Sequence, residues 1–382
     1  MKIRGINVFS GEAEELTIKD SKIADRIRIP KEADLPYLSP GFFDMQVNGY
    51  LGIDYSSSEL SIDKIEKIVI ELASSGTTQH VPTIITNSHK RISDNLKIIA
   101  EAVETNDLVR NAIPAIHIEG PFISEKDGPR GAHDPKYVRN PSIDELDDWL
   151  SISNGLVKLI TVAPEREGSS EFIEYAVKNG VVISIGHTDA SKDDIGMAIA
   201  KGSSCSTHLG NGSHAMIPRL NNYIWEQLAC EKLYAGIIAD GYHLPDSVLK
   251  VIDKVKGAEK TILVSDVAFL GGFAPGDYRW GDIEVEVYSD GHIGLKGTPY
   301  LAGAGHLLDT CIANFVNVTG EALANAVRMV SVNPVRLLGL NKKIDLNIGS
   351  DADVTLFRWD GTKHPLEVHS TYISGKRIYC RN

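Results

Sequence analysis

Four residues with side chains suited to metal binding or acid–base chemistry each follow a run of apolar residues. Glu119 and His187 stand in His-Ile-Glu-Gly-Pro and Gly-His-Thr-Asp, and His208 and Asp266 stand in Thr-His-Leu-Gly-Asn and Ser-Asp. Two neutral imidazoles and one carboxylate, with water at an open position, are the ligands of a hydrolytic Zn²⁺ site. A second carboxylate that is unbound or weakly bound can take the proton from that water. We therefore assign Glu119, His187 and His208 as metal ligands and Asp266 as the base.

The four residues form a site only if the fold brings them together, because each alone would more often be an ordinary hydrogen-bonded part of the structure. Eight apolar strand candidates occur at 41–45, 78–85, 113–118, 156–162, 181–185, 205–209, 235–239 and 261–264. Helical candidates alternate with them at 62–74, 91–103, 143–150, 171–178, 192–200, 224–230 and 247–255. This alternation is typical of a parallel sheet, and eight units in about 230 residues favour a (β/α)8 TIM barrel over an open sheet. Catalytic groups of such a barrel lie just past the carboxyl ends of its strands, where the four residues stand.

The two ends of the chain carry short β-type runs with too few apolar residues to form a core alone. These runs are 2–9, 15–18 and 26–29 at the N-terminus, and 353–358, 371–373 and 377–379 at the C-terminus. We expect residues 1–39 and 345–382 to pair into one small β-sandwich, and residues 40–344 to form the barrel. An acidic run lies in an apparent β-hairpin insertion between the eighth strand and residue 301, and it consists of Asp277, Asp282, Glu284 and Glu286.

The composition excludes several classes of protein. Of 382 residues, 42% are apolar and 24% are charged, the balance of an ordinary globular chain rather than a disordered or fibrous one. A net charge of −12 disfavours general binding to nucleic acid or to an anionic membrane. No apolar run approaches the roughly 18 residues that span a bilayer. Because no secretory signal is visible and the four cysteines lie far apart, we expect a cytoplasmic protein with reduced thiols.

Beyond the four residues, the chain carries a series of short motifs from residue 40 to residue 339. In order they are Pro40-Gly41-Phe42-Phe43-Asp44, His117-x-Glu119-Gly-Pro, Gly186-His187-Thr188, Thr207-His208-Leu209-x-Asn211, Ala239-Asp240-Gly241-x-His243, Ser265-Asp266, Leu301-Ala302-Gly303 and Asn333-Pro334-x-Arg336-x-Leu338-Gly339. This series resembles the N-acetylglucosamine-6-phosphate deacetylase family of the amidohydrolase superfamily. The resemblance implies a metal-dependent barrel with a small β-domain, usually dimeric, that removes acetate from the amide of an amino sugar phosphate.

The resemblance also implies which residues contact the substrate. Ala132 and His133 are expected to touch the substrate, and His133 to help steady the oxyanion. Arg219 and His243 resemble the pair that grips the sugar phosphate, partly across a dimer interface, and an Arg fork with a His donor suits phosphate oxygens. Further contacts are expected at Asn211, Gly212, Leu301, Ala302 and Gly303, the last three resembling a loop that closes over the acetyl end.

Two segments depart from the pattern of relatives. Many members of the superfamily carry His-x-His on the first strand and bind a second metal there, whereas this chain has Gln46-Val47-Asn48, as single-metal deacetylases do. Amides are poor ligands for a transition metal, so we predict one divalent metal, zinc before iron, manganese, cobalt or nickel. The alternative is that Gln46 and Asn48 merely hydrogen-bond to the rim. The second departure is the segment 210–222, which helps to shape the sugar and phosphate pocket. The identity of the substrate is therefore less well defined by the sequence than the type of reaction.

Two other functions are compatible with the same residues. A deacylase or cyclic-amide hydrolase acting on a non-phosphorylated or different N-acetyl sugar would use the same chemistry. A barrel that binds sugar phosphates without turnover would have no need of Asp266. Trp225 and Trp280 could stack on a sugar face, although a tryptophan is more often a core residue.

Overall fold

The computed structural model describes residues 1–280, 283–298 and 300–381. Its strands are β1 (Lys2–Asn7), β2 (Ala13–Lys19), β3 (Lys22–Arg28), β4 (Tyr37–Pro40), β5 (Phe42–Val47), β6 (Gly49–Tyr50), β7 (Ile53–Asp54), β8 (Thr77–Ile85), β9 (Ile116–Glu119), β10 (Val157–Val162), β11 (Val182–Ile185), β12 (Cys205–Ser206), β13 (Tyr234–Ile238), β14 (Thr261–Val264), β15 (Gly276–Trp280), β16 (Ile283–Val287), β17 (Ile293–Leu295), β18 (Val354–Arg358), β19 (Glu367–Ile373) and β20 (Lys376–Cys380).

The helices lie mainly between the strands of the central sheet. They are α1 (Ile62–Leu72), α2 (His89–Thr105), α3 (Asp107–Ala112), α4 (Ile143–Ile152), α5 (Ser169–Lys178), α6 (Lys192–Ala200), α7 (Tyr223–Ala229), α8 (Asp246–Lys260), α9 (Leu308–Thr319), α10 (Leu323–Met329) and α11 (Val332–Leu337). Two short 3₁₀ helices occur at Ala73–Ser75 and Pro135–Tyr137.

The central sheet is a parallel barrel of eight strands. Their order is β5, β8, β9, β10, β11, β12, β13 and β14, with parallel pairing between all neighbours. The backbone just past β14 bonds back to β5, because the N–H of Asp266 donates to Gln46 O and the N–H of Asn48 donates to Val267 O, both at 3.0 Å. These bonds join the first strand to the last, and the predicted (β/α)8 barrel is confirmed.

Helix α1 illustrates how the local sequence builds the outer layer. The side chain of Ser61 accepts a hydrogen bond from the N–H of Lys64 and so caps the first turn. The buried residues recur every three or four positions and therefore form one face, which packs into the main apolar core with the barrel strands: Ile65, Ile68, Val69 and Leu72. The strands are buried on both faces, as in β5, where all six residues are buried.

The two ends of the chain meet in one small β unit, as the sequence predicts. Its strands form a single seven-stranded sheet in the order β20, β19, β18, β4, β1, β2 and β3. The pairing is antiparallel except between β1 and β4. A separate apolar cluster that includes Ile3, Leu16 and Val354 gives this unit its own core. The boundaries at residues 39/40 and 344/345 stay a prediction.

The structure differs from the predicted elements in several places, and helix α3 and the short strands β6 and β7 are among the elements that the sequence does not predict. The strand predicted at 205–209 ends at Ser206, because the backbone of His208 turns into the left-handed region at φ 26°. Helices α9, α10 and α11, which complete the layer after β14, were not predicted. The insertion before residue 301 contains a third strand, β17, beside the predicted hairpin of β15 and β16; Asp282 of the acidic run lies outside the described residues.

Within the described part of the chain, no helix has both the length and the apolar character needed to cross a membrane.

Gly41 lies where the barrel begins, and its substitution should destabilise the fold. A Cβ atom at this position would collide with the side chain of Thr78 on β8. Because overpacking of a filled core costs about 1–3 kcal/mol, we expect Gly41→Ala to lower the free energy of unfolding by that amount in urea titration. The control is Gly196→Ala in α6, where a Cβ atom meets nothing within 4 Å, and this change should raise stability by up to about 1 kcal/mol. Equal effects of the two substitutions would contradict the packing argument.

Candidate active site

The four predicted residues all lie at the carboxyl end of the barrel. Glu119 is the last residue of β9, while His187, His208 and Asp266 each stand two residues beyond β11, β12 and β14. All four line one pocket, and all are almost fully buried except that Asp266 is partly accessible. The parallel barrel therefore brings them together as the sequence predicts.

Three of these residues have an unusual backbone. The φ angles of His187, His208 and Asp266 are 49°, 26° and 51°, in the left-handed region that residues with a Cβ atom rarely adopt. Such a conformation costs on the order of 1–3 kcal/mol per residue and persists where the surrounding structure imposes it. Its occurrence at three residues of one pocket indicates a site shaped for function.

One oxygen atom forms the centre of the cluster. Glu119 Oε1 lies 3.1 Å from His187 Nε2, 2.9 Å from His208 Nε2 and 3.0 Å from Gln46 Nε2. The two imidazole Nε2 atoms are themselves only 3.0 Å apart. Carboxylate and imidazole atoms thus converge on one small volume.

The hydrogen bond at Nδ1 of His187 determines which kind of ligand can bind between these atoms. His187 Nδ1 lies 2.8 Å from the carbonyl oxygen of Pro129, and because a carbonyl only accepts, Nδ1 must donate. In the neutral ring the lone pair is then on Nε2, where it faces the carboxylate of Glu119. Facing lone pairs repel unless a cation lies between them, so Glu119, His187 and His208 fit a divalent metal with nitrogen and oxygen ligands.

His133 adds a third imidazole beside the cluster, with its Nε2 3.3 Å from His187 Nε2. Ligand atoms of Glu119, His133 and His187 also lie within 4.8 Å of one another, so distance alone would allow His133 as a ligand. The N–H of Thr86 points at His133 Nδ1 at 3.4 Å, and the Thr86 hydroxyl is 2.7 Å from the same atom. Nδ1 is therefore the acceptor, and the proton on Nε2 points into the pocket. Burial lowers the pKa of His133 to about 3, so the ring is neutral, and in this tautomer its Nε2 is a donor.

Asp266 is the second carboxylate of the pocket and is held in place by strand β5. Its Oδ1 accepts a hydrogen bond of 2.7 Å from Asn48 Nδ2, and its backbone N–H donates to Gln46 O. Burial raises the pKa of Asp266 to about 6. A carboxyl with such a pKa exchanges a proton readily near neutral pH.

Comparison with known proteins supports the interpretation of this geometry. The model of the amidohydrolase family matches residues 37–378. N-acetylglucosamine-6-phosphate deacetylase of Rattus norvegicus is 32% identical over 390 residues, which cover 99% of this chain and 90% of the rat protein. This chain belongs to the N-acetylglucosamine-6-phosphate deacetylase family of amidohydrolases.

Solved structures agree in the fold of the whole chain. The crystal structure of N-acetyl-D-glucosamine-6-phosphate deacetylase from Mycobacterium smegmatis is 26% identical, covers 99% of this chain and 100% of its own, and has a TM-score of 0.87. A mutant of the M. smegmatis enzyme in complex with N-acetyl-D-glucosamine-6-phosphate matches with a TM-score of 0.86 at 26% identity, covering 99% of each chain. The similarity to this deacetylase family therefore includes both the barrel and the terminal sheet.

The remaining residues predicted from the deacetylase family divide into two groups. Ala132, His133 and Gly303 line the same pocket as the cluster. Gly212 lies against the ring of His187, so closely that a Cβ atom would come within 2.7 Å of Nδ1. Like Gly212, five further residues do not line the pocket: Asn211, Arg219, His243, Leu301 and Ala302.

The second group has its own contacts. His243 Nδ1 lies 2.8 Å from Asp240 Oδ2, which leaves its other ring nitrogen for a further partner. Arg219 is exposed in the loop before α7. The N–H of Ala302 donates to Ile293 O at 2.9 Å, so the 301–303 segment is attached to the inserted sheet.

Gln46 and Asn48 both use their amide N–H groups within the site. Gln46 donates to Glu119 at 3.0 Å and Asn48 donates to Asp266 at 2.7 Å. The alternative stated from sequence, hydrogen bonding to the rim, therefore describes their contacts in the structure.

Several residues of the pocket were missed by the sequence argument. Asp54 and Phe269 line it, and Thr86 orients His133 as described above. They follow no motif that the sequence offers: Thr86 comes directly after β8, Asp54 lies in the short strand β7, and Phe269 lies in the loop after β14. Trp280 also lines the pocket, in edge contact with Phe269 at 5.3 Å between ring centroids, whereas Trp225 is 49% exposed.

Removal of the central carboxylate should abolish tight metal binding. We expect Glu119→Gln to weaken metal affinity at least about 100-fold, because it removes the negative charge on which the cluster converges. Elemental analysis of the dialysed protein measures the metal content, and circular dichroism checks that the variant is folded. The control is His214→Ala, an imidazole that lies against Tyr223 rather than in the cluster, and this variant should retain the metal. Full metal content in Glu119→Gln would exclude Glu119 as a ligand.

Proposed function

We propose that this chain is a metal-dependent deacetylase that hydrolyses N-acetylglucosamine-6-phosphate to glucosamine-6-phosphate and acetate. The observation that carries the proposal is the convergence of Glu119, His187 and His208 opposite the buried carboxylate of Asp266. The names of the relatives in the deacetylase family supply the substrate.

The proposed ligands are Glu119, His187 and His208, with Gln46 and Asn48 outside the coordination sphere. A divalent metal bound there would supply Lewis acidity, which polarises a carbonyl and lowers the pKa of bound water toward about 7. We propose zinc, since a set of two imidazoles and one carboxylate is typical of hydrolytic zinc sites. Iron, manganese, cobalt and nickel accept the same donor types.

Asp266 is the proposed general base and acid. It takes one proton from the attacking water as the water oxygen bonds to the acyl carbon of the substrate. Asp266 then gives that proton to the amide nitrogen as the C–N bond breaks, so the amine leaves neutral; the second product, acetic acid, releases its remaining proton to solvent and becomes acetate. Asn48 keeps the carboxylate oriented for both transfers by holding Oδ1.

His133 is the proposed donor to the acyl oxygen. Its Nε2 proton points into the pocket because Thr86 occupies Nδ1. Negative charge develops on the acyl oxygen during attack, and a fixed neutral donor in a buried site stabilises that charge without reorganisation.

The sugar phosphate is proposed to bind at Arg219 and His243. Asp240 orients the His243 ring through Nδ1, and an arginine fork matches phosphate oxygens. The loop that carries Arg219 also exposes apolar side chains, among them Met216 at 90% and Leu220 at 79%. Exposed apolar patches mark interaction sites, so we propose a homodimer whose interface includes this loop and places Arg219 near the partner's pocket.

The remaining predicted contacts and the location are proposals as well. Ala132, Asn211 and Gly212 would contact the sugar, and the segment 301–303 would close over the acetyl end. The four cysteines are all unpaired, which supports a reducing, cytoplasmic location. The acidic net charge supports a small-molecule substrate rather than nucleic acid or a membrane surface as the partner.

Asp266→Asn tests the base. We expect a fall in kcat of about 100-fold to 10,000-fold, the usual contribution of a general base, with one metal retained per chain. Acetate release from N-acetylglucosamine-6-phosphate measures the rate, and elemental analysis of the same sample measures the metal. The control Asp25→Asn, on the exposed face of β3, should leave turnover unchanged. Activity within tenfold of the parent would remove Asp266 from this role.

Arg219→Ala tests the phosphate contact separately from the chemistry. We expect KM for N-acetylglucosamine-6-phosphate to rise about tenfold or more, in line with the loss of a charge-assisted hydrogen bond. Turnover of N-acetylglucosamine without phosphate should stay the same. An unchanged KM for the phosphorylated sugar would instead favour a substrate without phosphate.

A further inference from the structure

A second large cavity lies at the opposite end of the barrel from the active-site pocket. It has a volume of about 910 Å³ and is formed by the β1–β2 turn, helices α10 and α11, and the segment 339–347. Helix α11 is fixed at this end, because Asn333 Nδ2 donates to Thr261 O at the first residue of β14. The active-site residues follow the last residue of that strand. We name this cavity the basic cleft.

The lining of the basic cleft is strongly cationic although the chain as a whole carries −12. One carboxylate, Asp345, faces five cationic side chains: Arg26, Arg328, Arg336, Lys342 and Lys343. Asp345 is already occupied, since it accepts hydrogen bonds from the N–H of Asn347 and from the hydroxyl of Ser350. The lining of the cleft is therefore positively charged, whereas the chain as a whole is negatively charged.

Two of the five cations have carboxylate partners. Arg26 bonds to Glu14 at 2.7 Å, and Arg336 bonds to Glu259 at 2.7 Å. These ion pairs fix the side chains at the edge of the cleft and neutralise them. Arg26 and Arg336 therefore help to shape the edge of the cleft but add little to its net charge.

The other three cations, among the described residues, have no carboxylate within the 4.0 Å of an ion pair. The guanidinium of Arg328 lies 4.9 Å above the ring of Phe9, a cation–π contact that holds it without neutralising it. Lys342 Nζ donates to Asn111 O at 3.1 Å, and burial lowers its pKa. Lys343 is exposed at the rim. Asp353 and Asp351 partly oppose the lowering of the Lys342 pKa, but neither forms an ion pair with it. Half-buried cations that lack an ion pair favour an anionic ligand.

The floor of the basic cleft is apolar. Phe9 and the side chains of Val332, Val335, Ile344 and Leu346 form it, and the last three are largely buried. A small-molecule site typically has 300–1,000 Å³ of space, apolar walls and a few polar groups. The basic cleft has all three features.

We propose that the basic cleft binds a nucleoside phosphate, with the phosphates on Arg328, Lys342 and Lys343 and the planar base on the apolar floor beside Phe9. An arginine fork and lysine ammonium groups match phosphate oxygens, whereas an apolar floor adds affinity only for a ligand that carries an apolar group as well. The proposal is independent of the deacetylase reaction.

ADP, inorganic pyrophosphate and adenosine are the probes, titrated separately into the full-length, metal-loaded protein by isothermal calorimetry. We expect ADP to bind at one site per chain, at least tenfold more tightly than either pyrophosphate or adenosine. A saturating concentration of N-acetylglucosamine-6-phosphate should not displace ADP. The competition with the sugar phosphate is measured in the Asp266→Asn variant, which is expected to retain the metal and does not consume the sugar during the titration. Absence of ADP binding, equal affinity for pyrophosphate, or displacement by the sugar phosphate would each overturn the proposal.

Variants locate the site. Arg328→Ala should weaken ADP binding about tenfold or more, and Lys343→Ala, at an exposed rim position that tolerates substitution, should weaken it several-fold. The matched controls are Arg219→Ala, in the proposed substrate site, and Lys250→Ala, on the exposed face of α8; neither should change the affinity for ADP. If the control variants weaken ADP binding as much as the cleft variants do, the cleft is not the site.

Discussion

The site depends on the convergence of two imidazole Nε2 atoms on Glu119 Oε1. The Nε2 atoms of His187 and His208 lie 3.1 and 2.9 Å from this oxygen, and His187 offers a lone pair there because Pro129 takes the proton on its other nitrogen. Without a cation the lone pair of His187 Nε2 and the carboxylate of Glu119 repel each other, and the left-handed backbone of both histidines adds further cost. The barrel must therefore stabilise a cluster that is unfavourable by itself, and a bound cation offsets part of that cost.

The contacts that close the barrel also position the residues of the site. Asp44, buried on β5, accepts the N–H of Ser265 at 3.1 Å and the N–H of Gln46 at 3.3 Å, and burial raises its pKa to about 7. These bonds fix the segment past β14 against β5. The same junction aims Gln46 at Glu119 and Asn48 at Asp266, so the proposed base reaches its position only when the first and last strands pair.

Much of the fold and the centre of the site could be predicted from the sequence, because both follow from periodicity. Apolar runs alternating with helices indicate a parallel barrel, and the carboxyl ends of parallel strands meet at one rim, which places Glu119 and His187 together. Thr86 follows directly after β8 at the same rim, but its bond to His133 could not be predicted in this way. Asp54 lies in the short strand β7 and Phe269 in the loop after β14, and the paths of these two segments depend on tertiary packing. The tautomer of His133 likewise depends on a neighbour 47 residues away in sequence.

The side-chain amides of Gln46 on β5 and Asn48 just after it support the proposal of a single metal, because both donate hydrogen bonds within the site. A second metal beside the first would need an electron pair from the residues at positions 46 and 48. Gln46 and Asn48 instead present N–H groups to the carboxylates of Glu119 and Asp266, and an N–H group is repelled by a cation. To ligate, each amide would have to turn its oxygen inward and leave its carboxylate without a donor in a buried pocket, which is costly. The donors that orient Glu119 and Asp266 thus also disfavour a second metal.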